Sequence, residues 1–199
     1  MVIELDPTIP AELAPLSWLI GLWEGTGIVD YKVGDETRSL EFGQRLSFSH
    51  DGLPHLNYSS YTWLLDEART PHVTETGYWK LTRPASPGDP GPGLLPGVGA
   101  RPFQTAESVE TLRQPTGGFE IEVSIVHPGG VNEFYVGRAD GPRIDLATDA
   151  VMRTASAQEY AAATRLYGLV DSHLLWAWDI AALGQDLRTH ASGRLARVE

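Results

Sequence analysis

The chain has 199 residues and a mass of 21.7 kDa, enough for one sizeable core and too little for two ordinary domains. Fifteen Lys and Arg stand against 26 Asp and Glu, a formal net charge of −11, with no local basic patch. Phosphate backbones and anionic membranes would be repelled, so nucleic acid and membrane are not expected partners. The absence of cysteine excludes disulfides, thiolate metal sites, thiol nucleophiles and covalent haem attachment. It also suits a reducing cytoplasm. No apolar run approaches the roughly 18–20 residues needed to cross a bilayer, and the opening MVIELDPTIP lacks the pattern of a signal peptide. Cytoplasmic placement is the expectation.

Pro7, Pro10 and Pro15 punctuate the first twenty residues, and Leu13, Leu16, Leu19 and Ile20 fall at helical spacing. One or two short helical turns are expected there, ending at Gly21. From Trp23 the apolar period becomes two. Leu46 and Phe48 alternate with polar neighbours, as do Leu56, Tyr58 and Ser60, and Val73, Glu75, Gly77 and Trp79. The pattern returns at Phe119, Ile121, Val123 and Ile125, at Ile144 and Leu146, and at Leu174, Trp176, Trp178 and Ile180. Asp-Gly, Gly-Gly and Pro-Gly turns separate these runs. Short strands at such spacing predict a single antiparallel β-barrel of about ten strands, because closure removes unpaired edges. Residues 84–102 hold six Pro and five Gly, so they are expected to be a loop inserted between two strands. Residues 154–165 suit either a capped helix or a strand; the strand is preferred because Leu166–Val170 continues it.

Gly21-Leu22-Trp23-Glu24-Gly25-Thr26-Gly27 superficially matches a phosphate-binding glycine loop. A strand-like Ile28–Tyr31 follows it where a helix is needed, so a first barrel strand is the simpler reading. Trp23 would then plug the barrel base while the glycines let the strand bend and the helical cap approach. No hydrolase elbow is present, and the Glu120/Glu122 pair reads as a solvated face. His127, before Pro128-Gly129-Gly130, reads as a surface or hydrogen-bonded turn residue. The six histidines are dispersed with no helical pair, so a multi-histidine metal site is unsupported, while a cofactor needing a single protein ligand stays open. Haem is one, since porphyrin fills four of iron's six positions. His190 stands in a strand-like stretch before Ala191-Ser192-Gly193, small residues with room for a flat ligand. Taken alone, it reads first as a surface side chain.

Several segments together resemble the nitrobindin family, small β-barrel haem proteins similar in architecture to fatty-acid-binding proteins. The family's G-x-W-x-G-x-G signature stands here as GLWEGTG, carried by Gly21, Trp23, Gly25 and Gly27, with Tyr31 four positions on. FSHDGLPHLNYSSYTW (48–63), ETGYWK (75–80), VHPGGVNEFYVG (126–137), VMRTASAQE (151–159) and IAALGQDLRTHASGRLAR (180–197) match later blocks in order. The resemblance implies haem b held by His190 as proximal ligand, an apolar distal side and an open sixth position. It implies binding of nitric oxide and isomerisation of peroxynitrite to nitrate. Val33 stands where the family carries a Thr associated with the haem pocket, and Asp186 replaces a Pro four residues before the ligand. Arg165 would pair with a haem propionate or a ligand carboxylate, or else point outward into solvent. A homodimer is compatible with this reading. The rival function is a non-enzymatic carrier of a fatty acid or other apolar molecule, with His190 incidental.

Overall fold

The period-two runs fold into ten antiparallel strands, described here in a computed structural model for residues 8–33, 36–182 and 186–198. They are β1 (Gly21–Val33), β2 (Glu36–Ser49), β3 (Leu56–Leu64), β4 (Pro71–Leu81) and β5 (Phe119–His127). The rest are β6 (Val131–Asp140), β7 (Arg143–Arg153), β8 (Tyr160–Val170), β9 (His173–Ala182) and β10 (Arg188–Val198). Each strand pairs with its sequence neighbours, and β1 pairs with β10, so the sheet closes into an up-and-down barrel. The inward set is the one the alternation predicts: Leu46, Phe48, Leu56, Tyr58, Trp79, Ile121, Val123, Ile125, Ile144, Leu146 and Leu174 are all buried. The ambiguous stretch resolves as strand from Tyr160 onward.

One end of the barrel is capped. A 3-10 helix (Ala11–Leu19) buries Leu13, Leu16 and Leu19 over it, and Pro15 interrupts any regular α-helical ladder. Trp23, 1% exposed, donates its indole N–H to the Leu19 carbonyl at 2.8 Å. Arg197 lies over the Trp23 ring at 4.4 Å and donates to the carbonyls of Trp18 and Ile20, which lack helical partners. The Trp of the glycine-rich strand therefore closes the barrel base and anchors the cap.

The Pro/Gly insertion belongs to this same end. Arg83, at the close of β4, ion-pairs with buried Glu12 of the 3-10 helix at 2.6 Å and with Asp89 of the insertion at 2.7 Å. Arg101 donates to the Gly52 carbonyl at 2.6 Å. A short helix absent from the sequence reading, α1 (Ala106–Glu110), follows the insertion and buries Val109 against the core. Thr105 and Ser108 cap it reciprocally. The insertion is thus tied down beside the 3-10 helix, and the far end of the barrel, where β1 ends, stays clear of it.

Closure depends on glycine. A Cβ on Gly25 would lie 2.2 Å from the Arg194 carbonyl oxygen and 2.9 Å from the Leu195 Cα, both backbone atoms of β10. One on Gly27 would meet the Ser192 carbonyl and the Phe42 ring at 2.5 Å. Gly25→Val should therefore force the seam apart, at a cost of about 1–3 kcal/mol. Thermal unfolding would show this as a lowered midpoint, whereas Thr26→Val, one position along on the outer face, should leave it nearly unchanged.

Candidate haem site

At the uncapped end the β1–β10 ladder stops at Val29↔Ala191, one residue short of pairing Asp30 with His190. On the other side of β10, the β9 register slips between Thr189 and Ala191, which leaves His190 as the bulged residue. The His190 side chain takes up what the backbone leaves open. Its Nδ1 lies 3.1 Å from the Asp30 carbonyl oxygen, so Nδ1 carries the proton and donates. Nε2 is left with its lone pair. Burial lowers the imidazole pKa below its usual value, outweighing the opposing effect of the Asp30 contact, so the ring is neutral at pH 7. Trp178 of β9 packs edge-on against it, ring centres 5.5 Å apart at 83°.

His190 is on the wall of a cavity of about 100 Å³ that opens to solvent. Val29, Phe42, Trp176, Trp178 and Ala191 give its flat apolar surfaces. Gln44, Ser60, Thr62 and Thr74 also line it, and Gln44 links the Trp176 indole N–H to the Ser60 hydroxyl through two 2.8 Å hydrogen bonds. The wall is therefore more polar than the expected apolar lining. Gly193 gives its space to Trp176, whose indole nitrogen lies 2.6 Å from where a Cβ would stand. Of the small trio, Ala191 alone lines the cavity. Val33 ends β1, and its side chain lies outside the described residues; Asp186 is exposed, ahead of β10.

The cavity floor holds a buried ionic network. Arg165 is 4% exposed, so the solvated alternative for it is excluded. Its guanidinium grips Glu75 through two bonds of 2.7 and 2.9 Å, and reaches Tyr135 at 3.0 Å, Glu133 at 3.3 Å and Tyr167 at 3.4 Å. All five guanidinium N–H groups are thereby occupied. Tyr58 also donates to Glu75, while Tyr135, Tyr160 and the Nε2–H of His127 donate to Glu133. His127 stacks on Trp178 at 6.0 Å. Of the two readings its context offered, the hydrogen-bonded one holds: His127 is an inward member of this network and not a surface residue.

Burial alone would push the Glu75 carboxyl up. The Arg165 charge and hydrogen bonds override it and hold the pKa at about 2. Glu133 is likewise held below its usual value against burial, chiefly by the His127 hydrogen bond and the Arg165 charge. Because the folded pKa of Glu75 is below its ordinary 4.5, its contribution is complete above that value and is lost as pH falls toward 2. Acid unfolding followed by near-ultraviolet circular dichroism should therefore begin below about pH 5. Glu75→Gln should lower stability at pH 7 and flatten the acid limb; an unchanged acid limb would contradict the assignment.

Among the described residues no group of three or more His, Asp or Glu side chains is placed to hold a metal ion. Iron bound here would need ligands besides the protein's. A single neutral imidazole, with one nitrogen fixed by a carbonyl and the other free beside flat aromatic walls, fits a porphyrin iron. Trp178 adds a buried indole N–H with no acceptor among the described residues.

Comparison with known proteins follows the same line. The family described as "THAP4-like, heme-binding beta-barrel domain" matches residues 12–197. A peroxynitrite isomerase of Leifsonia xyli subsp. xyli is 68% identical over 198 residues, all of both chains. One from Clavibacter michiganensis subsp. michiganensis is 65% identical over 199 residues, again the whole of each. The crystal structure of Rv2717c from M. tuberculosis superposes with a TM-score of 0.69 at 24% identity, covering 96% of this chain and 99% of that one, and shows the shared fold. The chain belongs to the family of THAP4-like, heme-binding β-barrel domains, the nitrobindins.

Proposed function

We propose that this protein binds haem b through His190 and, in the ferric state, isomerises peroxynitrite to nitrate. The observation that carries the proposal is the fixed His190 tautomer: Nδ1–H held by the Asp30 carbonyl, Nε2 free on the cavity wall. Ferric haem supplies a Lewis-acidic, redox-active iron with a coordination position open to a small ligand. His190 supplies one neutral nitrogen, and the Asp30 carbonyl raises its basicity while fixing the ring plane. Trp178 blocks rotation from the side. Phe42, Trp176 and Val29 keep the site largely apolar. Isomerisation conserves atoms and charge, so no net proton has to be delivered. The cavity floor agrees: its carboxylates are held ionised by protein partners and offer no acid.

Nitric oxide is a second small ligand for the same open position. The net charge of −11 argues against nucleic acid or an anionic membrane as partner. Among the described residues no helix is long and apolar enough to cross a membrane. The reading includes a cytoplasmic setting and accommodates a homodimer.

Hemin titration of the apo-protein, read at the Soret band, should saturate at one equivalent. His190→Ala should bind at least about tenfold more weakly, a loss of 1.4 kcal/mol or more. Equal weak binding by both would assign the cavity to the carrier role. Stopped-flow decay of peroxynitrite should then be faster with the ferric protein than with the same concentration of free hemin. No acceleration over hemin would remove the isomerase activity and leave haem binding intact.

A further inference from the structure

Every donor of Arg165 is taken, and the acceptor that takes most is part of the chain. Glu75 reaches across from β4 to meet the guanidinium with both carboxylate oxygens, at 2.7 and 2.9 Å, and receives the Tyr58 hydroxyl as well. Tyr167 stands 3.4 Å from the same guanidinium nitrogen. A forked guanidinium flanked by phenols is a receptor for a planar anion with two oxygens on one edge. Glu75 and Arg165 both line the cavity, so the receptor adjoins the space where ligand binds. Carboxylates, nitrate and nitrite all present that two-oxygen edge.

We infer that Glu75 is a specificity residue, a built-in anion that fills the Arg165–Tyr58 receptor and keeps planar oxyanions off the cavity floor. Charge supports this as well as shape. Glu75 and Glu133 together outweigh Arg165, so the floor offers an entering anion no net positive charge. The covalently tethered carboxylate also competes at an effective concentration that a dissolved anion cannot match. Exclusion has two consequences. A fatty acid finds no carboxylate anchor, which separates this barrel from a carrier of free acids. Nitrate, the product under the reading above, is not trapped beside the haem site; this second consequence rests on that reading, and the exclusion itself does not.

The test uses apo-protein and needs neither haem nor turnover. Thermal unfolding is followed at constant ionic strength while chloride is replaced by formate, acetate or nitrate, with tetrahedral sulfate as control. Wild type should show only the non-saturating salt effect that every variant shares, which is subtracted from each curve. Glu75→Ala keeps Glu133 beside Arg165; it should unfold at lower temperature and regain at least about 2 °C, saturably, with each planar anion and not with sulfate. Glu75→Gln, whose amide fills the same space, should not respond. Adding Arg165→Met to Glu75→Ala should abolish the gain. If Glu75→Ala is unfolded in chloride, refolding in acetate supports the proposal, and failure to refold there while Glu75→Gln is folded overturns it. A saturable response in wild type, or none in folded Glu75→Ala, also overturns it. Loss of hemin binding in His190→Ala tests the haem reading alone and leaves this outcome untouched.

Discussion

The barrel closes where two backbones come nearer than any side chain would allow. Gly25 and Gly27 let β1 lie against β10 with carbonyl oxygens in the space a Cβ would need. The ladder they permit ends at Val29↔Ala191, and the bulge on β10 turns His190 to the Asp30 carbonyl. That one hydrogen bond decides the rest of the site. It fixes the tautomer, leaves Nε2 as the free nitrogen and holds the ring beside Trp178. Burial then keeps the imidazole neutral, which a metal-ligating nitrogen requires. The glycines of the signature do not line the cavity and yet shape the candidate site, through strand closure.

The two ends of the barrel divide the work. The capped end is held by Trp23 and Arg197 and by the Glu12–Arg83–Asp89 cluster, which fastens the Pro/Gly insertion beside the 3-10 helix. The open end keeps its mouth free of that insertion. Between them the Arg165 network crosses the interior. Buried charges are costly, and this set persists because each is matched: Arg165 against Glu75 and Glu133, with four tyrosines and His127 meeting the remaining oxygens and donors. The two carboxylates of that floor are held ionised by their partners and offer no acid to the pocket above.

Much of this is written in the sequence as parity. The alternating runs gave the strands and their inward faces, and Pro/Gly density marked the insertion. Glu75 was visible on the same face as Gly77 and Trp79, and His127 continues the inward series from Phe119 to Ile125. A charged residue at an inward position is the signal for the network; Glu133 and Arg165 share it. What parity does not convey is how strands from distant parts of the chain meet across the interior. Glu75 and Arg165 are 90 residues apart, and the guanidinium becomes a satisfied ion only once β4 and β8 face one another. The Asp30 carbonyl was equally hidden, because a backbone acceptor leaves no trace in residue type. Gly193 misled for a related reason: it makes room, but the neighbouring Trp176 uses the room.

The candidate site stands or falls on whether iron is held by His190 alone, through Nε2, with Asp30 fixing the other nitrogen. Resonance Raman spectroscopy of the ferrous haem complex measures the iron–histidine stretch directly. Wild type should give one such band, which should be lost in His190→Gly and return when free imidazole is added to that variant. Persistence of the band in His190→Gly without imidazole would contradict it, because another histidine would then be the ligand.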